Sequence, residues 1–194
     1  MSRKIRTAAV IGSGVMGGGI AALLASAGIK TLLLDIVPFD LKEQDKQNKK
    51  ARNSLVQKGL DVVLTSRPSL IMHPKDASLI TIGNLEDDFD KLAGCDWIVE
   101  VVVENLKIKQ QLFKRIEAVR KPGSIVSSNT SGIPLKAMSE GLNSEFRQHF
   151  LGTHFIRLAS HSGIVFQFGD RGQSQFPNLV FTHDDGGRSP VSRL

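Results

Sequence analysis

Residues Thr7 to Asp35 constrain this chain more than any other stretch. Thr7–Ile11 (TAAVI) is the short apolar run of a fully buried strand. Gly12-Ser13-Gly14-Val15-Met16-Gly17 follows, and Ile20–Ala27 (IAALLASA) then reads as a helix that Gly28 ends. Lys30–Leu34 (KTLLL) predicts a second strand, closed by Asp35. Strand, glycine turn, helix, strand and acid within about 30 residues is the setting in which G-x-G-x-x-G binds a dinucleotide. Gly12 permits a tight turn, Gly14 lets backbone approach a pyrophosphate, and Gly17 lets the helix pack close to the strand. The first helical turn, with Val15 and Met16, aims free N–H groups and a positive dipole end at the phosphates. Asp35 can accept both ribose hydroxyls and would repel a 2′-phosphate, which favours NAD over NADP. A glycine turn and a solvated strand-end carboxylate also occur for structural reasons alone, but those leave the spacing unexplained.

The remainder continues the alternation. Asp40–Leu60 is the most polar stretch, with six Lys/Arg and three Asp/Glu. It reads as a solvated helix with charge pairs, the alternative being a basic arm for an anionic substrate handle. Arg67-Pro68 and His73-Pro74 mark loops. Ser78–Ile82 predicts a third strand and Ile98–Val103 a fourth, with Glu100 and Glu104 within or just beyond it. Asn105–Arg120 predicts a helix, stopped by Lys121-Pro-Gly123. Ser124–Ser128 predicts a strand ending in Asn129-Thr-Ser131-Gly132, and Pro134 can open a short helix at its first position. His149–His154 predicts a last strand that places His154 at its end. The fold expected is α/β: a Rossmann-type, doubly wound, mainly parallel sheet with helices on both faces. In such sheets ligands bind beyond the carboxyl ends of the strands, where Asp35, Glu104, Asn129, Ser131 and His154 all fall.

Composition narrows the function classes. The 194 residues carry 25 Lys/Arg against 19 Asp/Glu, a net charge of +6. The basic residues are dispersed, there is no Tyr and only one Trp, so a stacking platform for nucleic acid is poorly supplied. A basic face for an acidic small molecule accounts for the charge, and no nucleic-acid partner is expected. No window approaches the roughly 20 apolar residues of a membrane span. The start, MSRKIRT, lacks the long apolar region of a signal peptide, and the single Cys95 suits a reducing cytoplasm. Cys95 precedes an apolar strand and reads as a buried small hydrophobe. The five histidines show no metal-ligand spacing with it, so no metal is expected.

Taken together, VIGSGVMGGGIA, the acid after LLL, DWIVEVVVENLKIKQQLFKRIE, SIVSSNTSGIPL and HFLGTHF resemble the NAD-binding domain of the 3-hydroxyacyl-CoA dehydrogenases. The chain is similar in particular to the bacterial multifunctional fatty-acid oxidation proteins, in which this dehydrogenase is joined to an enoyl-CoA hydratase. The resemblance covers about Arg6 to Phe155 and sets a domain expectation of 1–155. It implies oxidation of a 3-hydroxyacyl-CoA to the 3-ketoacyl-CoA with NAD as hydride acceptor. It implies His154 as base, Ser131 in contact with substrate and cofactor, and Glu104 and Lys109 in contact with the cofactor. Ser54 and Lys58 fall where the family's helical arm touches CoA, and Asn129 lies on the substrate side.

Beyond Phe155 the resemblance breaks. The family's next Phe, Asn-Pro and the glutamate that orients the histidine are missing: Phe155 to Gly169 holds no acid, and Arg157 stands for the cofactor-contacting Asn. No lysine follows Lys136, and Asp170–Leu194 shows no sustained helical or strand period. We read 156–194 as an aberrant tail from a shifted reading frame or a disrupted gene, with the family's helical domain and its dimer surface missing. Loss of an orienting carboxylate costs about 10⁴-fold in a Ser-His-Asp triad. The alternative to a β-oxidation enzyme is therefore an NAD-binding module with little or no turnover. A dehydrogenase of small hydroxy acids on the same first domain is a third reading, which the V-E-N and S-N-T-S segments disfavour.

Overall fold

A computed structural model describes residues 4–67, 69–157, 164–168, 179–180 and 192–193. Seven strands form one sheet: β1 (Thr7–Ile11), β2 (Lys30–Asp35), β3 (Ile80–Asn84), β4 (Trp97–Glu100), β5 (Ile125–Ser128), β6 (Phe150–Arg157) and β7 (Ile164–Phe168). Their order is β3-β2-β1-β4-β5-β6-β7. The first six run parallel, and β7 pairs antiparallel with β6. The short β8 (Leu179–Val180) and β9 (Ser192–Arg193) pair with each other.

Helices cover both faces, because a parallel sheet needs crossover connections and alternate strand residues point to opposite sides. On one face α1 (Val15–Ser26) and α3 (Ser54–Thr65) pack over Ala8, Val10, Leu33 and Val99. On the other, α4 (Leu106–Val119), α5 (Leu135–Met138) and α6 (Ser144–Gln148) pack over Ala9, Ile11, Leu34 and Ile98. Phe113 meets Phe150 edge-on at 4.8 Å between ring centroids, and Phe146 closes that cluster.

Register aligns the strand ends. Ile11 pairs with Leu34 and with Glu100, Glu100 with Ser128, and Ser128 with Gly152. The residues just beyond this line, Gly12, Asp35, Val101 and Asn129, therefore share one rim. Strand order reverses between β1 and β4, which opens the crevice where doubly wound folds bind ligands.

Several expected boundaries move. Helix α1 starts at Val15, not Ile20, and takes in Gly17, Gly18 and Gly19. Glycine is a poor helix former, but close packing overrides propensity here: a Cβ on Gly17 would lie 1.8 Å from the Gly12 carbonyl oxygen. Strand β4 stops at Glu100 instead of Val103, because the Glu100 carboxylate takes the Val102 N–H (2.7 Å) and ends the ladder. The polar stretch 40–60 is not one helix. It forms a 3₁₀ turn at Glu43–Asp45, then α2 (Lys49–Arg52) and α3, with Asn48 capping α2 and Asn53 at the break. Its Arg52 pairs across to Glu86 and Asp87 beyond β3, not along its own helix. Pro134 precedes α5 as its cap instead of opening it.

Strand β6 runs on to Arg157 because β7 gives its edge a pairing partner, so His154 sits within the strand opposite Gln167 and not at its end. Strand β7 (Ile164–Phe168) falls within the stretch read as an aberrant tail, ahead of Asp170. Pro68 and tail residues 158–163, 169–178, 181–191 and 194 lie outside the described residues. So do the side chain of Arg157 and the expectations that rest on it. No helix among the described residues is long and apolar enough to cross a membrane.

Candidate active site

The rim is built outward from the glycine turn. Gly12 holds φ +103°, and a Cβ there would lie 2.6 Å from the Val101 carbonyl oxygen, so both conformation and space demand glycine. The Gly12 N–H donates to Leu34 and the Val101 N–H to Ile11, both at 2.8 Å, which stitches the turn between β2 and β4. Gly14 precedes α1 with no side chain capping the helix, so the N–H groups of its first turn have no intrahelical partner. A Cβ on Gly14 would meet nothing within 4 Å. Uncapped N–H groups facing open space at a helix start fit a pyrophosphate.

On the β2 side, Asp35 is already oriented. Its Oδ2 accepts the Ser13 N–H (2.7 Å) and the Ser13 hydroxyl, and its Oδ1 accepts the Ile36 N–H (2.7 Å). Oδ1, with one donor, keeps a lone pair for a ribose hydroxyl, while the two Ser13 donors occupy Oδ2. Ser13 was not anticipated as its anchor. Helix α3 lies alongside, with the Leu55 carbonyl 3.4 Å from the Ser13 hydroxyl. Ser54 is half-buried and Lys58 exposed on that helix. These two stand on the β2–β3 side of the sheet, and β6, which bears His154, is four strands from β2. The structure does not gather them with Ser131 and His154.

On the β4–β6 side, Glu104 holds the loop that carries Ser131. Its Oε1 accepts the Thr130 hydroxyl and the Gly132 N–H (3.2 Å), the residues on either side of Ser131. Ser131 itself is exposed. The Asn129 Oδ1 accepts the Phe155 N–H at 3.0 Å and so pins the backbone next to His154. Asn129 is thereby committed on its oxygen to the fold. Leu151, Thr153 and Phe155 are buried while His154 is exposed, as strand alternation requires. Among the described residues, no carboxylate hydrogen-bonds the His154 ring.

Lys109 is not presented at the surface. Its side chain is 1% exposed, with Nζ 2.6 Å from Glu100 and 3.4 Å from Glu104. Glu100 is fully buried and also accepts the Ser128 hydroxyl. This pair was legible only in part: a lone acid inside an apolar strand and a lysine nine positions on demand a buried partner, but spacing alone did not say that they meet.

Burial works to raise the Glu104 pKa, but the Thr130 and Gly132 hydrogen bonds and the Lys109 ammonium outweigh it and hold the carboxyl below its ordinary 4.5. A depressed folded-state value stabilises the fold above the unfolded pKa and is lost as pH falls through the folded one. Thermal melts should therefore show a constant gap between the wild type and Glu104→Gln above pH 4.5, closing below it. A gap that widens on acidification would contradict the clamp.

Cys95 is buried, its thiol pushed up to about 11 by burial, consistent with a packing role. No group of three or more His, Cys, Asp or Glu is arranged for a metal among the described residues.

A parallel doubly wound sheet, a glycine turn at its switch point and an acid ending the next strand define a dinucleotide-binding domain of the Rossmann class. The family model described as "3-hydroxyacyl-CoA dehydrogenase, NAD binding domain" matches residues 7–163, and the chain belongs to that family. Its cofactor is accordingly NAD. A "Probable 3-hydroxyacyl-CoA dehydrogenase" of Bacillus subtilis is 51% identical over 167 residues, covering 83% of this chain and 21% of that protein. A protein of the same name from Deinococcus radiodurans is 47% identical over 153 residues, covering 79% of this chain and 42% of the relative. The crystal structure of (S)-3-hydroxybutyryl-CoA dehydrogenase from Ralstonia eutropha superposes with a TM-score of 0.62 at 27% identity, over 79% of this chain and 50% of that one. The chain thus spans between a fifth and two fifths of these curated relatives.

Proposed function

We propose that this chain serves the NAD-dependent oxidation of a 3-hydroxyacyl-CoA to the 3-ketoacyl-CoA in fatty-acid β-oxidation. The observation that carries the proposal is the common rim, which puts the glycine turn, Asp35, the Glu104-held Ser131 loop and His154 at the same end of one sheet.

When bound, NAD supplies the hydride acceptor. The residues to hold it are the first turn of α1 at the pyrophosphate, Asp35 at the adenosine ribose and Glu104 on the nicotinamide side. Lys109 acts on Glu104 from beneath. His154 takes the substrate hydroxyl proton at an imidazole nitrogen. Ser131 donates to the oxygen that becomes the ketone, and Asn129 keeps the strand beside His154 in place. The acyl-CoA handle runs toward Ser54 and Lys58. Cys95, free and buried, supports a reducing cytoplasm as the compartment.

A second reading is favoured by one observation, that the His154 ring has no carboxylate partner among the described residues. On that reading the chain is an NAD-binding module with little or no turnover. Incubation with acetoacetyl-CoA and NADH separates the two: loss of NADH absorbance supports the enzyme, while energy transfer from Trp97 to NADH without that loss supports the module. For an active chain, His154→Ala should lower kcat by about 10²–10⁴-fold while leaving NADH affinity within about twofold. An active His154→Ala variant would remove this residue from the chemistry.

A further inference from the structure

We propose that Glu100 is the positioning residue of this site, setting both the Ser131 loop and the strand that bears His154 without touching either. The proposal rests on the functional reading above for why those two residues matter.

Glu100 is an acid placed in the apolar run Trp97-Ile-Val-Glu-Val-Val, with no exposed surface. Stability alone does not explain it, because apolar residues of similar volume replace buried ion pairs at little cost, and often with a gain. Its bonds reach four residues in three segments. Oε1 takes the Val102 N–H at 2.7 Å and the Lys109 ammonium at 2.6 Å. Oε2 takes the Ser128 hydroxyl at the end of β5, and its main-chain carbonyl takes the Asn129 N–H at 2.9 Å.

Two chains of contacts leave this hub. The first runs from Lys109 to Glu104 at 3.4 Å, and from Glu104 to Thr130 and Gly132, which bracket Ser131. The second runs from Asn129 to the Phe155 N–H at 3.0 Å, the peptide that follows His154. The buried carboxylate reaches the first chain through Lys109 and the second through the Ser128 hydroxyl, whose residue adjoins Asn129, so it has a path to each of the two residues assigned to the reaction. Helix α4 and the ends of β4 and β5 would pack without it, but nothing else among the described contacts ties Lys109 to Ser128.

The test uses the full chain with Glu100→Gln, which keeps the shape but removes the negative charge that faces the Lys109 ammonium. The control is Phe146→Leu, a core change in the α4–α6 cluster, compared at temperatures of equal folded fraction. If Glu100 positions the site, amide hydrogen exchange at Gly132 and Phe155 accelerates in Glu100→Gln and not in the control. NADH affinity, read by energy transfer from Trp97, falls by about tenfold relative to the control. Exchange and affinity matching the control would overturn the proposal and leave Glu100 a structural residue only. Should Glu100→Gln fail to fold, Ser128→Ala removes one arm and keeps the charge pair. It should accelerate the Phe155 amide on the Ser128–Asn129 arm and leave Gly132, on the Lys109 arm, as in the wild type; unchanged exchange at Phe155 would equally overturn the proposal. The exchange readout needs neither substrate nor turnover. An inactive wild-type chain would therefore count against the proposed reaction, while the amide rates decide the role of Glu100.

Discussion

Lys109→Met is expected to lower the stability of the folded domain by about 3–5 kcal/mol, a fall of about 6–20 °C in melting temperature. The cause is not the loss of a favourable ion pair as such. Glu100 and Lys109 are 0% and 1% exposed, so removing the ammonium strands a carboxylate that water cannot reach. Val102 and Ser128 still donate to Glu100, but two neutral donors do not replace a full charge in a medium of low polarity. The second substitution makes the argument sharp: Glu100→Met added to Lys109→Met should recover most of the loss, since an apolar pair of similar volume fits a buried site. Chemical denaturation of the two variants measures both quantities. A single variant within about 1 kcal/mol of wild type would mean that the pair is solvated in a way its burial does not indicate.

Gly17→Ala is the second large effect. The added methyl would lie 1.8 Å from the Gly12 carbonyl oxygen and 2.9 Å from its carbon. Both are backbone atoms of the turn itself, so no flexible side chain can move aside. Either α1 is displaced from β1 or the turn opens, and each removes the alignment of helix N–H groups with the pyrophosphate position. The expected result is a loss of about 3 kcal/mol in stability, at the upper end for overpacking, and about a hundredfold weaker NADH binding. Gly14→Ala makes the informative comparison. Its Cβ meets nothing in the protein, so stability should change little while the methyl intrudes on the space left for the phosphates. Thermal melts together with NADH titrations of the two variants separate a broken turn from a blocked one. Equal stability loss in both would show that the glycines serve the helix and not the ligand.

The chain order of strands and helices was readable because local patterns carry it. TAAVI, KTLLL and the apolar run after Cys95 are buried on both faces and so have no polar alternation to confuse them. Asp35 and the glycine turn were likewise readable, since their spacing is fixed by one strand–helix–strand unit. What eluded the sequence involves partners distant along the chain. The end of β4 depends on a carboxylate folding back on its own backbone, and the length of β6 depends on β7 arriving at the sheet edge. The break of 40–60 into α2 and α3 depends on Asn53 accepting from Asn84 at 2.7 Å, across from another strand.

The same division governs the site. Local sequence determined the class of ligand, because a helix start with glycines before it and an acid after the next strand recognise a dinucleotide through short-range geometry. It also named Glu104, Asn129, Ser131 and His154 as a group, since each follows or lies within a strand of one parallel sheet. Only the tertiary structure decided that Lys109 is buried beneath Glu104, that Ser13 anchors Asp35, and that Glu100 joins the two halves of the rim. A charge inside a protein has no fixed meaning until its partners are known. Those partners are set by strand order and register, which no local pattern encodes.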